Sequence, residues 1–547
     1  MRLTRQFTCA LGLLGTNQLL RAQPAGFLPP ECLAKGASGR LDIDVHTHVF
    51  NGSDLQVEKF LSSVVSRHYP FFLRKVIQAL AKPLQRSVWK RAPQATDELK
   101  KLARFGEGPA IKSINNGQLA EVYADAVQET DMTYSQGFAE ELKTPDGQQF
   151  LDAYREYLSD VAARDPKAAD AIRAISPIPE LERLRNPEEL LKQLDREKAL
   201  SDYSVASVFG FIRSFYAYRF EHVYYLLHNY GCEHGTVQLI AAALVDYDYP
   251  LGAGKTPPPS LLPEQFKVMA RISEVFSGRV LTYLPFDPWR VVFEGSGIFN
   301  AVTDYITHGA AAGVKLYPPM GFAPLGNGDL KPPPPSWPKQ PADFAAQLDR
   351  ALVQLWEFAK ASDVPVIAHA ARSNAPADDR AGLGCPDHWQ RVFDNYPNAR
   401  VCFGHFGGED LLKSKDSWPQ GFLDLVSRYP NAYGDIAYFE EVLERKKEPA
   451  LARRLSDFLV ASKQAGNKMI YGSDWEMLGI EAHSEQYFQQ FTTLFADPKL
   501  FKPDIPPHVL SQNAVDFLGL HPKQQTRSRL HDFYSKRSVN ASWLAHI

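Results

Sequence analysis

The stretch LDIDVHTHVF, residues 41–50, alternates apolar and polar side chains and then delivers two histidines near its end. In an extended strand residues i and i+2 share a face. His46 and His48 are therefore expected to point the same way, close enough to ligate one metal ion, with Thr47 turned aside. An isolated His-x-His is short enough to arise by chance on a half-buried strand. Its meaning depends on what the other strands of the chain bring to the same place.

Working outward, residues 51–205 break the strand pattern and carry helical periodicity, as in LQVEKFLSSVV, FFLRKVIQALAKPL and FLDAYREYLSDVAARD. From about residue 206 short apolar or β-branched runs alternate with helical stretches. VQLIAAALVDYDYP, RVLTYLPFDP, VKLYPP, PVIAHA, RVCFGHFGG, NAYGDIAYF and KMIYGSDWE read as strands, separated by helices that include LLPEQFKVMARISEVFSG and GIFNAVTDYITHGAAAG. With residues 41–50 as the first strand, eight strands alternate with helices. This predicts an α/β chain folded as a (β/α)8 TIM barrel, with a long helical insertion after the first strand and its chemistry at the strand C-termini. The expected organisation is a leader over 1–24, the first strand region over 25–50, a helical insertion or cap over 51–205, the rest of the barrel over 206–521 and a tail over 522–547.

The strand ends carry a consistent chemistry. The fourth gives Lys315 in GVKLYP, the fifth His369 in PVIAHA, the sixth His405 in CFGHFGG and the eighth Asp474 in YGSDWE. Neutral imidazoles with a carboxylate suit zinc or a similar divalent ion. His222, His228, His234 and His483 fall on helices or their boundaries and are assigned no chemistry. Arg372, Tyr438 and Glu476 lie just beyond strand ends, where they could orient a substrate.

This pattern resembles the amidohydrolase superfamily, and within it the amidohydrolase-related branch of TIM-barrel metal-dependent hydrolases. The likeness covers about 41–50 and 235–520, including a closing VLSQNAVDFLG similar to the family's terminal helix. It does not cover 51–205 or the chain after about 522. The resemblance implies that His46, His48 and His369 are metal ligands, that Asp474 binds metal and handles a proton, and that His405 is a ligand or an acid-base group. It implies for Lys315 either a carboxylated bridge between two ions or a contact to a substrate oxyanion. The expected activity is hydrolysis of a small-molecule amide, ester or lactone with one or two divalent ions, zinc first. The alternatives are a metal-dependent nonoxidative decarboxylase of an aromatic or unsaturated acid, and a non-catalytic binding protein on a barrel scaffold.

Composition narrows the partners. A net charge of −3 over 547 residues gives no electrostatic reason to expect nucleic acid. No apolar run reaches the roughly 18 residues of a spanning helix, so a small-molecule substrate is the expected partner. Between Lys59 and Arg104 basic residues outnumber acidic ones, and the acidic helices from Glu121 onward are expected to compensate them. Arg2, Arg5 and an apolar run over 7–14 make a poor export signal: the protein is exported or periplasmic if it acts as one, and cytoplasmic otherwise. The five cysteines show no CxxC spacing and read as buried or incidental thiols. The run GAGKT, residues 252–256, resembles the end of a phosphate loop but lacks its first glycine and runs into three prolines, so it is expected not to bind nucleotide.

Overall fold

The computed structural model describes residues 40–68, 71–164, 211–251, 256–333, 337–412, 417–444, 446–461, 467–481 and 483–547. The leader, the last part of the 51–205 segment and residues 252–255 of the phosphate-loop look-alike lie outside the described residues.

Eight parallel strands form one sheet in the order β1 to β8. They are β1 (Asp42–His48), β2 (Val237–Ala243), β3 (Val280–Pro285), β4 (Ala311–Leu316), β5 (Val366–His369), β6 (Val401–Gly404), β7 (Ala432–Asp435) and β8 (Met469–Ile470). Backbone bonds from Val45 N to Tyr471 O at 3.1 Å and from Asp474 N to His46 O at 2.7 Å join the first strand to the segment after the last. The sheet is a (β/α)8 barrel, as the alternation of patterns predicts. Helices connect the strands, among them Leu262–Val275, Phe344–Ala361 and Tyr487–Phe495.

One element differs from the sequence reading. The helix expected to run through GIFNAVTDYITHGAAAG ends at His308, and Ala311 already begins β4. Alanine favours helix intrinsically, but Ala311 and Ala312 are buried between neighbouring strands, and tertiary pairing overrides a propensity of this size.

The segment after β1 is helical where described: α1 (Phe71–Arg91), α2 (Ala95–Leu102), α3 (Asn116–Leu142) and α4 (Pro145–Arg164). Asn115 starts α3 with a reciprocal cap, its side chain accepting from Gln118 N while the Gln118 side chain accepts from Asn115 N. Val76, Leu80, Leu84, Phe138 and Tyr154 from these helices share one core with Phe50, Val245, Tyr247, Tyr317 and Met320. Those five barrel residues lie just past the C-terminal ends of β1, β2 and β4, so the helices pack on the face where strand-end side chains emerge.

The basic excess of this region is paired. Lys75 meets Glu156, Lys82 meets Asp146, Arg86 meets Glu141, Lys101 meets Glu129 and Arg104 meets Asp125. These pairs join α1 and its neighbours to α3 and α4, which makes the charge run a compensated helical face.

Beyond the barrel, α5 (Arg219–His228) precedes β2. The last helix, Gln525–Lys536, places Leu530, Phe533 and Tyr534 in one core with Ile43, Leu281 and Ile470. No helix among the described residues is long and apolar enough to cross a membrane. Cys385 and Cys402 are free, whereas Cys232 is disulfide-bonded, so the expectation of unlinked thiols fails at that position.

Candidate metal centre

The barrel brings the six strand-end residues to one mouth. His46, His405 and Asp474 present ligand atoms that all lie within 4.8 Å of one another. His48 Nε2 is 3.2 Å from Asp474 Oδ1, and His46 Nε2 is 3.5 Å from the same oxygen. The His369 ring centroid is 4.6 Å from that of His405, and Lys315 Nζ is 2.8 Å from His46 Nε2. All six are buried.

What fixes the imidazoles is the partner of each Nδ1. His48 Nδ1 lies 2.8 Å from Ala243 O, His405 Nδ1 lies 3.0 Å from Ala437 O, and His46 Nδ1 lies 2.9 Å from Asp435 Oδ2. A carbonyl oxygen only accepts, so Nδ1 of His48 and His405 carries a hydrogen, which makes Nε2 the atom each ring can offer to a metal. The same assignment at His46 follows from the carboxylate. His46 Nε2 then faces both Lys315 Nζ and Asp474 Oδ1, and His48 Nε2 faces the same carboxylate oxygen, so ligand atoms of both imidazoles and the carboxylate converge on one place. Outer hydrogen bonds of this kind are what orient histidine ligands in metal sites. The donor set therefore fits a divalent metal.

The electrostatics agree. Burial drives His46 and His369 well below the usual imidazole range, helped by Lys315 and His405, which keeps both neutral as ligands must be. Burial pushes Asp474 up, but His405, His48 and His46 outweigh it and hold the carboxyl at about 2. Burial also pulls Lys315 down to about 8 in spite of Asp474 and Asp435.

Local backbone places two of these groups. His405 and Asp474 have φ of 65° and 58°, the left-handed region that non-glycine residues enter at a cost of roughly 1–3 kcal/mol. Each is tied down: His405 N donates to Asp435 Oδ1 at 2.7 Å, and Asp474 N donates to His46 O. Gly404 and Gly472 crowd His46 from two sides. A Cβ at Gly404 would sit 2.9 Å from His46 Cε1, and one at Gly472 would sit 2.7 Å from His46 Cβ.

His369 stands slightly apart. Its Nε2 meets Ser373 Oγ at 3.1 Å, its ring stacks on Tyr317 at 4.5 Å, and its buried Nδ1 has no hydrogen-bond partner among the described residues. The three residues expected to orient a substrate go elsewhere. Glu476 is buried and ion-paired with His222 at 3.0 Å. Arg372 is exposed and lies over the Trp418 ring at 4.3 Å. Tyr438 donates its hydroxyl to Glu481 at 3.0 Å.

Asp435, Asp44 and Ser473 lie around the cluster at positions the sequence reading left out. Asp44, pushed up to about 7 by burial against its hydrogen bonds, accepts from His46 N at 3.1 Å and from Ser473 N at 3.0 Å and Oγ at 2.6 Å. It links the first strand to the loop that carries Asp474. Asp435 ends β7, and the strand-end rule applied there finds it in NAYGDIAYF.

Replacing Asp435 with asparagine tests the orienting role. Its Oδ1 accepts from the N–H groups of His405 and Ala437, while Oδ2 faces His46 Nδ1. An amide NH2 in the Oδ2 position would confront Nδ1–H and push the imidazole proton to Nε2, the atom facing Asp474. Asp435→Asn is expected to weaken metal affinity about 10–100-fold without unfolding the protein. Metal titration with a chromophoric competitor measures it, and unchanged affinity would show that Asp435 orients nothing.

Residues 301–520 match the family model described as amidohydrolase. No curated protein matches the chain by sequence. Among solved structures, the chain is similar to an amidohydrolase from Burkholderia multivorans with bound HEPES, at 10% identity over 55% of this chain and 87% of that one, with a TM-score of 0.36. It is also similar to 4-oxalomesaconate hydratase from Rhodopseudomonas palustris, at 12% identity over 55% of this chain and 80% of that one, with a TM-score of 0.35. A third, 5-carboxyvanillate decarboxylase from Sphingomonas paucimobilis, aligns at 13% identity over 51% of this chain and 78% of that one, with a TM-score of 0.31.

Proposed function

We propose that this protein is an amidohydrolase-type enzyme, a hydrolase of a small-molecule amide, ester or lactone, working with a divalent metal, zinc first. The observation that carries the reading is the set of imidazoles locked through Nδ1, with Nε2 of His46 and His48 turned on Asp474. Bound by His46, His48, His369 and Asp474, with His405 and Lys315 beside them, such an ion would supply Lewis acidity toward a carbonyl oxygen and acidify water.

The protein's own groups do the rest. Asp474, ionised across the neutral range, takes the proton of the attacking water and returns it to the leaving nitrogen or oxygen. The buried Lys315 amine would stabilise a developing oxyanion, since a buried donor stabilises such charge more than an exposed one does, and His405 would assist as an imidazolium. The helices of the 51–205 segment act as a cap that keeps bulk water out and limits substrate size.

The same residues could serve decarboxylation if Lys315 stays unmodified and His405 acts as an acid or base. The assay separates the two. Metal-loaded protein is offered lactones, esters and amides in one panel and aromatic or unsaturated acids in another, with acid production and carbon dioxide release both recorded. Acid production from a carbonyl substrate, lowered about 10²–10⁴-fold in kcat by Asp474→Asn, is the expected result. Carbon dioxide release from the acids with no turnover of any carbonyl substrate would replace hydrolysis with decarboxylation. Metal stoichiometry, read with a high-resolution crystallographic view of the Lys315 side chain, distinguishes a carboxylated bridge between two ions from a free amine beside one.

A further inference from the structure

Away from the imidazoles, the loop that follows β4 and the segment that follows β5 enclose a second cavity of about 230 Å³. Lys331, Arg380, Arg391 and His388 line it, against the carboxylates of Asp329 and Asp379. Arg380 decides how the cavity reads. Its side chain is 7% exposed, and its closest carboxylate is that of Asp379, 3.7 Å from Nε and itself 47% exposed. Nη2 donates to the carbonyl oxygens of Lys331 at 2.9 Å and Pro332 at 3.1 Å, which fixes the guanidinium without neutralising it. A buried cation is costly unless an anion pairs with it. Burial accordingly pulls Arg380 below the usual arginine range, with Asp379 opposing.

Two further features point to a ligand. His388 Nδ1 is buried and has no hydrogen-bond partner among the described residues. Arg391 also lines the cavity, its Nη1 donating to Gly326 O at 3.0 Å. Gly326, at φ +83°, makes room for that guanidinium: a Cβ there would come within 2.5 Å of Arg391 Nη1. Two guanidinium groups and an imidazole thus line one hollow, and planar donor forks of this kind suit a carboxylate or phosphate group.

We infer that this cavity binds a small oxyanion, a carboxylate or a phosphate, through Arg380 and Arg391. The site is separate from the proposed metal centre and stands or falls without it. The two are nevertheless joined by chain. The segment that walls the cavity begins at His369, passes Ser373 at the His369 Nε2, and returns at Gly384, where a Cβ would lie 3.2 Å from His369 O. An anion that fixes Arg380 therefore steadies the backbone behind His369.

Calorimetric titration of the full chain with inorganic phosphate and, separately, with malonate tests the site. Saturable binding of one equivalent of either anion is expected, weakened about tenfold or more by Arg391→Gln and by Arg380→Gln. Binding of phosphate alone or of malonate alone identifies which oxyanion the site takes. Arg380→Gln also removes a support of the 331–332 backbone, so Arg391→Gln, exposed and clear of those carbonyls, keeps the test decisive if the first variant misfolds. A His46→Ala/His48→Ala protein should bind the anion as the wild type does. Absence of saturable binding, binding untouched by Arg391→Gln, or binding lost with the two histidines would each overturn the inference.

Discussion

His46→Ala with His48→Ala is expected to leave a folded protein that neither holds a metal nor turns over substrate. The two imidazoles supply adjacent ligands from one strand, and no other pair among the strand-end residues shares a strand. Their loss takes away the Nε2 atoms that now face Asp474, leaving that carboxylate with His405 as its main partner. The fold should survive because β1 is held by other contacts. Ile43 and Val45 remain in the core, Val45 N still donates to Tyr471 O, and Asp44 still joins Ser473. Truncating a buried imidazole beside Gly404 and Gly472 leaves a cavity, and core truncations of that size cost about 2–5 kcal/mol. Far-ultraviolet circular dichroism reads the fold, elemental analysis the metal, and single-turnover assay the chemistry. Activity is expected to fall at least about 10³-fold, below the 10–100-fold penalty of disturbing an orienting carboxylate. Full metal occupancy in the double variant would remove the basis of the proposed reaction. Should that variant misfold, His48→Asn alone retains most of the volume and still deletes one ligand.

How much of this was readable in the sequence depends on the kind of signal. The barrel was legible because buried parallel strands are continuous apolar runs, and seven of them, after the first at residues 41–50, alternate with helical periods from residue 206 onward. The metal cluster was legible because a barrel delivers its functional side chains at strand ends, so Lys315, His369, His405 and Asp474 could be picked by position alone. Asp435 obeys the same rule and was passed over, since an aspartate in NAYGDIAYF looks like an ordinary polar stop. Its contact with His46, 389 positions away along the chain, appears only once the barrel closes. Glu476 and Tyr438 also sit just past strand ends, and each lies against a long-range partner, His222 and Glu481. Strand-end position carries information where the backbone aims a side chain inward, and loses it one or two residues later, where a loop can turn either way. The Ala311–Gly313 run was misread for a related reason. Local propensity speaks for helix, and only the pairing of Ala311 and Gly313 with β3 makes them strand.

Arg219→Met should destabilise the protein by about 3–5 kcal/mol and loosen the helices over the barrel mouth before the barrel itself melts. Arg219 is fully buried and ties three separate segments. Its guanidinium pairs with Asp54, just after β1, through Nε at 3.0 Å and also through Nη2, and with Glu98 in α2 through Nη1 at 2.8 Å. Glu98 in turn accepts from the backbone N–H of Arg219 at 3.1 Å and of Phe220 at 2.6 Å, holding the first turn of α5. The chain thus leaves the barrel at Asp54, passes through α2, and re-enters at Arg219 through a single buried ion cluster. Desolvation makes such a cluster a modest net stabiliser, but removing the one cation strands two carboxylates away from water, and that is the large term. Methionine fills much of the volume, so the loss measures charge rather than a cavity. Adding Asp54→Asn and Glu98→Gln to Arg219→Met removes the stranded charges and should recover a good part of the stability, whereas a packing role for Arg219 would predict no recovery. Thermal unfolding of the single and triple variants gives the difference. Hydrogen exchange over 51–102 and 219–228 should show the single variant losing protection there while β4 to β7 keep theirs. Equal loss across the barrel, or a single variant as stable as the wild type, would mean that the ion cluster does not hold the helical segment to the barrel.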